Sequence, residues 1–196
     1  TRGDGGQNEI GPELFQAIGI LRGEELMAVH KYDGVAQYHT RAYEFGYSFS
    51  VEETLEKWGK DAILADIVRV IRRVRPDVIR TMNSQGGGGG QHHQTSARLT
   101  HEAFRLAADP TQFPEQLREG LRPWQAQRVY QAGSGPGFSA VSEAVPAGGV
   151  RIGTGTFDPL LGMTWEQFGQ LARTNHKCQG TSQLEAFPGD TAGIYT

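Results

Sequence analysis

The stretch from Ser50 to Thr95 constrains the fold most, because a helical pattern, a strand and a second helical pattern follow one another with short links. Ser50-Val-Glu-Glu53 has the Ser-x-x-Glu spacing of a capping box, whose two side chains satisfy orphan amides at a helix start. Leu55, Trp58, Ala62, Ile63, Ile67, Val70, Ile71 and Val74 then fit one helical face, with a break near Gly59, until Arg75-Pro76 stops it. Asp77 to Met82 is predicted as a short strand, and a glycine run from Gly86 to Gly90 leads towards a helix predicted over Thr95–Ala108. This order is the mark of a parallel α/β sheet. Ligands of such sheets gather outside the carboxyl ends of strands, which makes His92 and His93 the first candidates for chemistry.

Imidazole serves both as a neutral metal ligand and as a general acid or base. A solvated glycine loop carrying two surface histidines fits the same residues. A phosphate-cradling loop does not, because no Lys-Ser/Thr follows the glycines. His101 lies two turns beyond His93 on the same predicted helix and reads as a surface or packing residue.

Upstream, Pro12 suits the first position of a helix that presents Leu14, Ile18, Leu21 and Leu26 on one face and ends at Asp33-Gly34. Arg22 and Glu25 lie three apart on it, as a solvated ion pair would. Tyr43, Phe45, Tyr47 and Phe49 alternate, as in a short strand or an extended edge, and suit either packing or an aromatic lip for a sugar ring. Downstream, Asp109 to Gln125 is a proline-punctuated connector and Arg128–Gln131 a further strand. The stretch 133–155 is a Gly/Ser-rich loop or insertion. Thr164-Trp-Glu-Gln167 opens a last helix towards His176–Gln179, and 180–196 reads as an irregular tail or the start of a further segment.

A chain of 196 residues is long enough for one domain with a sizeable core, and 27 glycines with 9 prolines put much of it in loops. Net charge of −3 and a pI near 6.1 leave no broad basic field, so nucleic acid is not an expected partner. The single cysteine, Cys178, excludes an internal disulfide and a cysteine-rich zinc site. No run approaches the roughly 20 apolar residues of a membrane span. The chain opens on Thr1 without an initiator methionine, so an upstream segment is expected and the compartment stays open between cytoplasm and export.

Five segments, in order, resemble the PIG-L (LmbE-like) family of bacterial zinc-dependent N-deacetylases. They are Thr1-Arg2-Gly3, Arg22-Gly-Glu-Glu25, Arg75-Pro76-Asp77-Val78, Gln91-His92-His93 and His176-Lys-Cys-Gln179. The resemblance implies an α/β fold, a Rossmann-like three-layer sandwich with a mostly parallel sheet, here as a partial domain over residues 1–179 with its first strand missing. It implies a hydrolase that removes the N-acetyl group of an N-acetylglucosamine-type sugar or glycoside, with zinc as cofactor. His93 would bind the metal, and His92, where the family usually has Asp, would act in catalysis as a donor to the oxyanion. Arg22 would act in catalysis and in substrate binding, while Glu44, His176 and Gln179 would line the substrate. The family's Ala-His-Pro-Asp-Asp-Glu segment, source of two further metal ligands and the general base, is not in this sequence. The chain is therefore expected to be an inactive portion of such an enzyme, or else a non-catalytic carbohydrate-binding domain of the same fold.

Overall fold

The computed structural model describes residues 1–85, 90–132, 144–181, 189 and 191–196. Its elements are α1 (Gln16–Asp33), α2 (Val51–Trp58), α3 (Lys60–Val74), β1 (Val78–Thr81), α4 (Gln91–Leu106), α5 (Pro114–Arg118), β2 (Arg128–Gln131), β3 (Val150–Gly153), β4 (Phe157–Asp158), β5 (Met163–Thr164), α6 (Trp165–Arg173), a 3-10 turn (Lys177–Gln179) and β6 (Ala192–Tyr195). The class is mixed α/β. The chain divides into two compact units, one built on Thr1–Gly46 and Arg151–Gly193, the other on Tyr47–Gly137 with Val145–Val150 and Ile194–Thr196.

In the second unit the local signals hold. Ser50 caps α2 by accepting the Glu53 amide at 3.0 Å, while the Glu53 carboxylate reaches back to the Phe49 amide at 3.3 Å. Gly59, at φ 73°, breaks the helix into α2 and α3, a backbone state that glycine adopts without strain. Arg75 ends α3 in the left-handed region ahead of Pro76. α3 packs on α4, and the alanines Ala97 and Ala103, both fully buried, let the two helices approach closely.

The buried stripe of α3 is Ile63, Leu64, Val68, Ile71 and Arg72, so the face is rotated from the one the apolar pattern suggests, and Val74 is half exposed. The cause is Arg72. Its guanidinium is buried where the carbonyls at the end of α4 lack helical partners, and turning that side chain inward turns Val74 out.

β1 and β2 pair in parallel from Val78↔Arg128 to Thr81↔Gln131, as a strand, helix, strand connection through α4 requires. The end of the chain adds an antiparallel contact, with Gln131 and Thr196 exchanging backbone bonds of 2.7 and 3.0 Å. β3 pairs with β6, and β4 with β5 in an antiparallel hairpin. Among the described residues each named sheet has two strands, so the parallel character rests on β1 and β2.

Four boundaries differ from the sequence reading. α1 starts at Gln16 rather than Pro12, because Asn8 bonds the Glu13 carbonyl and side chain and the Glu9 amide bonds Cys178, which holds residues 8–13 out of helix; Leu14 is consequently exposed. α4 starts at Gln91 rather than Thr95, because the Ser48 carbonyl accepts the Gln91 amide and a first turn needs no apolar partners. The supposed connector contains α5, with Pro114 in its first turn. The supposed irregular tail ends in β6, where Ala192 and Ile194 alternate inward. Residues 86–89, and 133–143 of the Gly/Ser-rich stretch, lie outside the described residues.

Candidate functional site

The first unit gathers the motif residues around a glycine turn. Gly3 lies at φ 79°, and the Gly6 amide closes the turn on the Gly3 carbonyl at 3.0 Å. Arg22, from α1, lays its guanidinium over this turn and donates to the Gly3 carbonyl at 3.4 Å. A β-carbon at Gly6 would fall 1.7 Å from Arg22 Nη1, and one at Gly3 would lie 2.7 Å from Nε. The glycines are thus the floor on which the arginine rests. Arg22 does not pair with Glu25: the two side chains hold different backbone groups.

Glu44 backs onto the same turn. Its amide reaches Asp4 Oδ1 at 3.5 Å, and its carbonyl would meet a β-carbon at Gly5 at 2.7 Å. Asp4 in turn pairs with Arg2 at 2.7 Å. Burial alone would raise the Asp4 pKa, yet hydrogen bonds from its own backbone, from Arg2 and from the Glu44 amide together hold the carboxyl below the usual range. The aromatic stretch that follows forms no strand; Tyr43 packs on Phe45 with ring centres 5.9 Å apart.

Glu25 lies one turn beyond Arg22 on α1. Its Oε1 accepts the Cys178 amide at 2.7 Å, and the Cys178 carbonyl accepts the Glu9 amide at 3.1 Å. Glu25 Oε2 is buried with no hydrogen-bond partner. Cys178 is fully buried, and burial together with the Glu25 hydrogen bond pushes its thiol up to about 11. At pH 8 in native buffer, iodoacetamide should therefore modify it roughly 100-fold more slowly than in the unfolded chain, since only the thiolate reacts. Mass spectrometry of the intact chain reads this directly, and rapid native labelling would contradict the buried setting.

His176 precedes the 3-10 turn and is half-buried. Burial lowers its pKa, and the nearby Glu25 opposes the shift. Gln179 is exposed at the end of that turn, where Gly180 takes φ 69°. Of the residues named from sequence, Arg22, Glu44, His176 and Gln179 thus fall in the first unit. Sequence reasoning passed over Glu25 as a site residue, although its place in Arg-x-x-Glu was the available signal.

His92 and His93 fall in the second unit, within the first turn of α4 rather than in a loop before it. His92 is half-buried and stacks on Trp58 of α2, ring centres 5.2 Å apart and planes at 15°. Lys57 and the Phe49 amide hold Glu53 below the usual carboxylate range, and His92 adds a smaller effect in the same direction. His93 is exposed. A catalytic zinc needs about three protein ligands and an open position. Among the described residues no three His, Cys, Asp or Glu side chains converge, so these residues do not by themselves fit a zinc centre.

Comparison with known proteins bears on these motifs. The model of the PIG-L family, described as GlcNAc-PI de-N-acetylase, matches residues 1–104, and the chain belongs to that family. The match takes in the glycine turn, Arg22, Glu25, Glu44 and both histidines, while His176–Gln179 lies beyond it. Among individual relatives, the chain is similar to 1D-myo-inositol 2-acetamido-2-deoxy-alpha-D-glucopyranoside deacetylases. One from Streptomyces scabiei is 32% identical over 130 residues, covering 62% of this chain and 39% of that one. One from Streptomyces avermitilis is 37% identical over 128 residues, covering 61% and 42%, and one from Thermobispora bispora is 40% identical over 70 residues, covering 36% and 21%. The matched region spans less than half the length of these relatives. A conserved protein from Thermus thermophilus aligns in structure with a TM-score of 0.47 at 14% identity, over 84% of this chain and 60% of that one.

Proposed function

We propose that this chain contributes to an N-deacetylase acting on an N-acetylglucosamine-type glycoside, with the 2-acetamido sugar on inositol as the first substrate to try. The observation that supports this reading most is the Arg22 cluster. A guanidinium seated on a glycine turn, beside Glu44 and one helical turn from the Glu25–Cys178 contact, presents fixed donors to a polyhydroxylated ligand. In the reaction water adds to the acetamide carbon, the C–N bond breaks, and acetate and the protonated amine depart. Arg22 would orient the sugar hydroxyls or the carbonyl, and His176 and Gln179 would stand at the wall of the site.

The family resemblance brings zinc to the reading, with His93 as the residue that would hold it. The described residues do not by themselves complete a zinc centre, so a metal held by His93 would need ligands beyond them. The parallel pair β1 and β2, joined through α4, supports the Rossmann-like layering within this reading.

A second reading, a carbohydrate-binding domain without turnover, is favoured by one observation: His93 stands exposed, with no converging ligand set among the described residues. Incubation with the acetamido-sugar inositol, with the free amine detected by fluorescamine, decides between them. Amine release that Arg22→Ala suppresses supports the deacetylase. Saturable binding without amine release supports the binding domain, and the absence of both binding and release would sink both readings.

A further inference from the structure

We propose that Glu25 is a positioning residue: by accepting the Cys178 amide it anchors the 3-10 turn Lys177–Gln179 to α1, and so fixes His176 and Gln179 relative to Arg22. The geometry is specific. Arg22 and Glu25 sit one turn apart on α1, so they project from neighbouring points on the same helix. Arg22 is tied to the turn at Gly3, while Glu25 crosses to a segment 153 residues later in the chain. A carboxylate accepting a backbone amide at 2.7 Å is a charge-assisted bond, shorter and stronger than an amide–carbonyl one.

The neighbouring backbone reinforces the seat. Glu9 donates to the Cys178 carbonyl, so the same peptide segment is held on both sides. Gly180 closes the turn in the left-handed region, and a β-carbon there would meet Glu9 Oε2 at 2.5 Å. His176 is bracketed by the bond network: its carbonyl accepts from Gln179 and Thr181, and its imidazole lies within the electrostatic reach of Glu25, Arg22 and His30 of α1 and Arg173 of α6. Buried Glu25 Oε2 makes no hydrogen bond, so the attachment of the Cys178 amide runs through Oε1.

The kinetic arm of the test rests on the deacetylase reading; the spectroscopic arm does not. Glu25→Met keeps the bulk and removes the acceptor, whereas Glu25→Gln keeps an acceptor and removes the charge. In the full chain at about pH 8.5, where the imidazole with its lowered pKa is neutral in every variant, Glu25→Met should move the His176 ring resonances, assigned by their loss in His176→Gln, while Glu25→Gln should leave them near their original positions. With the acetamido-sugar inositol as substrate, Glu25→Met should raise KM about tenfold or more with kcat changed less than about threefold, and Glu25→Gln should restore most of KM.

A folded Glu25→Met chain with unmoved His176 resonances would overturn the proposal, as would a Glu25→Gln chain as perturbed as Glu25→Met. If Glu25→Met fails to fold, Glu25→Gln decides alone, because the anchor requires its His176 to stay in place. If the unsubstituted protein releases no amine, the deacetylase reading fails and the resonances still decide the anchor.

Discussion

Arg72→Met is expected to lower the stability of the second unit by about 3–5 kcal/mol, the largest effect of any single change considered for this chain. Arg72 is 1% exposed, yet its guanidinium reaches six acceptors. Four are carbonyls at or just past the end of α4 and before α5, from Leu106, Ala107, Asp109 and Gln112. The others are the Phe113 carbonyl and Gln116 Oε1. Helix ends leave such carbonyls without intrahelical partners, and a cation there also meets the negative end of the helix dipole.

Burial pushes the guanidinium pKa down, and nearby Glu115 and Asp109 oppose it, so the charge is held by its surroundings rather than by one carboxylate. Methionine matches the stem but removes a donor from all six acceptors; the Leu106, Ala107, Asp109 and Phe113 carbonyls each keep a backbone amide, while the Gln112 carbonyl and Gln116 Oε1 lose the guanidinium bond. Lysine should recover part of the loss, since it keeps the charge but offers its donors from one point rather than from a planar fork. Urea unfolding followed by tryptophan fluorescence measures both variants. An Arg72→Met chain within about 1 kcal/mol of the unsubstituted one would mean that the acceptors find other partners.

On the deacetylase reading proposed above, Gly6→Ala should leave the fold nearly as stable while lowering kcat/KM for amine release about 100-fold, through displacement of Arg22. Gly6 does not have a positive φ, so alanine is tolerated by its backbone. Its new β-carbon would nevertheless fall 1.7 Å from Arg22 Nη1, at the mobile end of a long side chain. The cheap response is for the guanidinium to leave the turn, and a displacement on the order of an ångström is enough to cost two orders of magnitude when orientation matters. Arg22→Ala should match Gly6→Ala, and the double substitution should add little, because both remove the same placed group. Full turnover in Gly6→Ala with an unchanged melting temperature would show that the seat of Arg22 on the turn is irrelevant to the reaction.

Arg22 and Arg72 differ in how visible they are in sequence. Arg22 was legible because Arg-x-x-Glu follows Thr-x-Gly in the order of the family. The caps at Ser50 and Thr164 and the break at Gly59 were legible because the interactions that make them lie within four residues. Arg72 was not legible. Arginine on a helix ordinarily faces water, and only the end of α4, more than 30 residues later, makes an inward position favourable. Glu25 was misread for the same reason: local spacing pairs it with Arg22, whereas its partner is the Cys178 amide. The sequence singled out His92 and His93 as candidates, but the apolar period that defines a helix starts after them, so their place in the first turn of α4 was missed.

The sequence by itself therefore determined helices α1 to α4 and α6, strands β1 and β2, the caps, the break at Gly59 and membership of the PIG-L family, because these depend on periodicity, on short-range hydrogen bonds and on motif order. Tertiary structure decided which charged groups turn inward and what they hold: Arg72 on the carbonyls at the end of α4, Glu25 on Cys178, Arg22 on the glycine turn and His92 on Trp58. A buried polar group must find a partner wherever the chain supplies one. That partner is set by packing between distant segments, which no local pattern encodes.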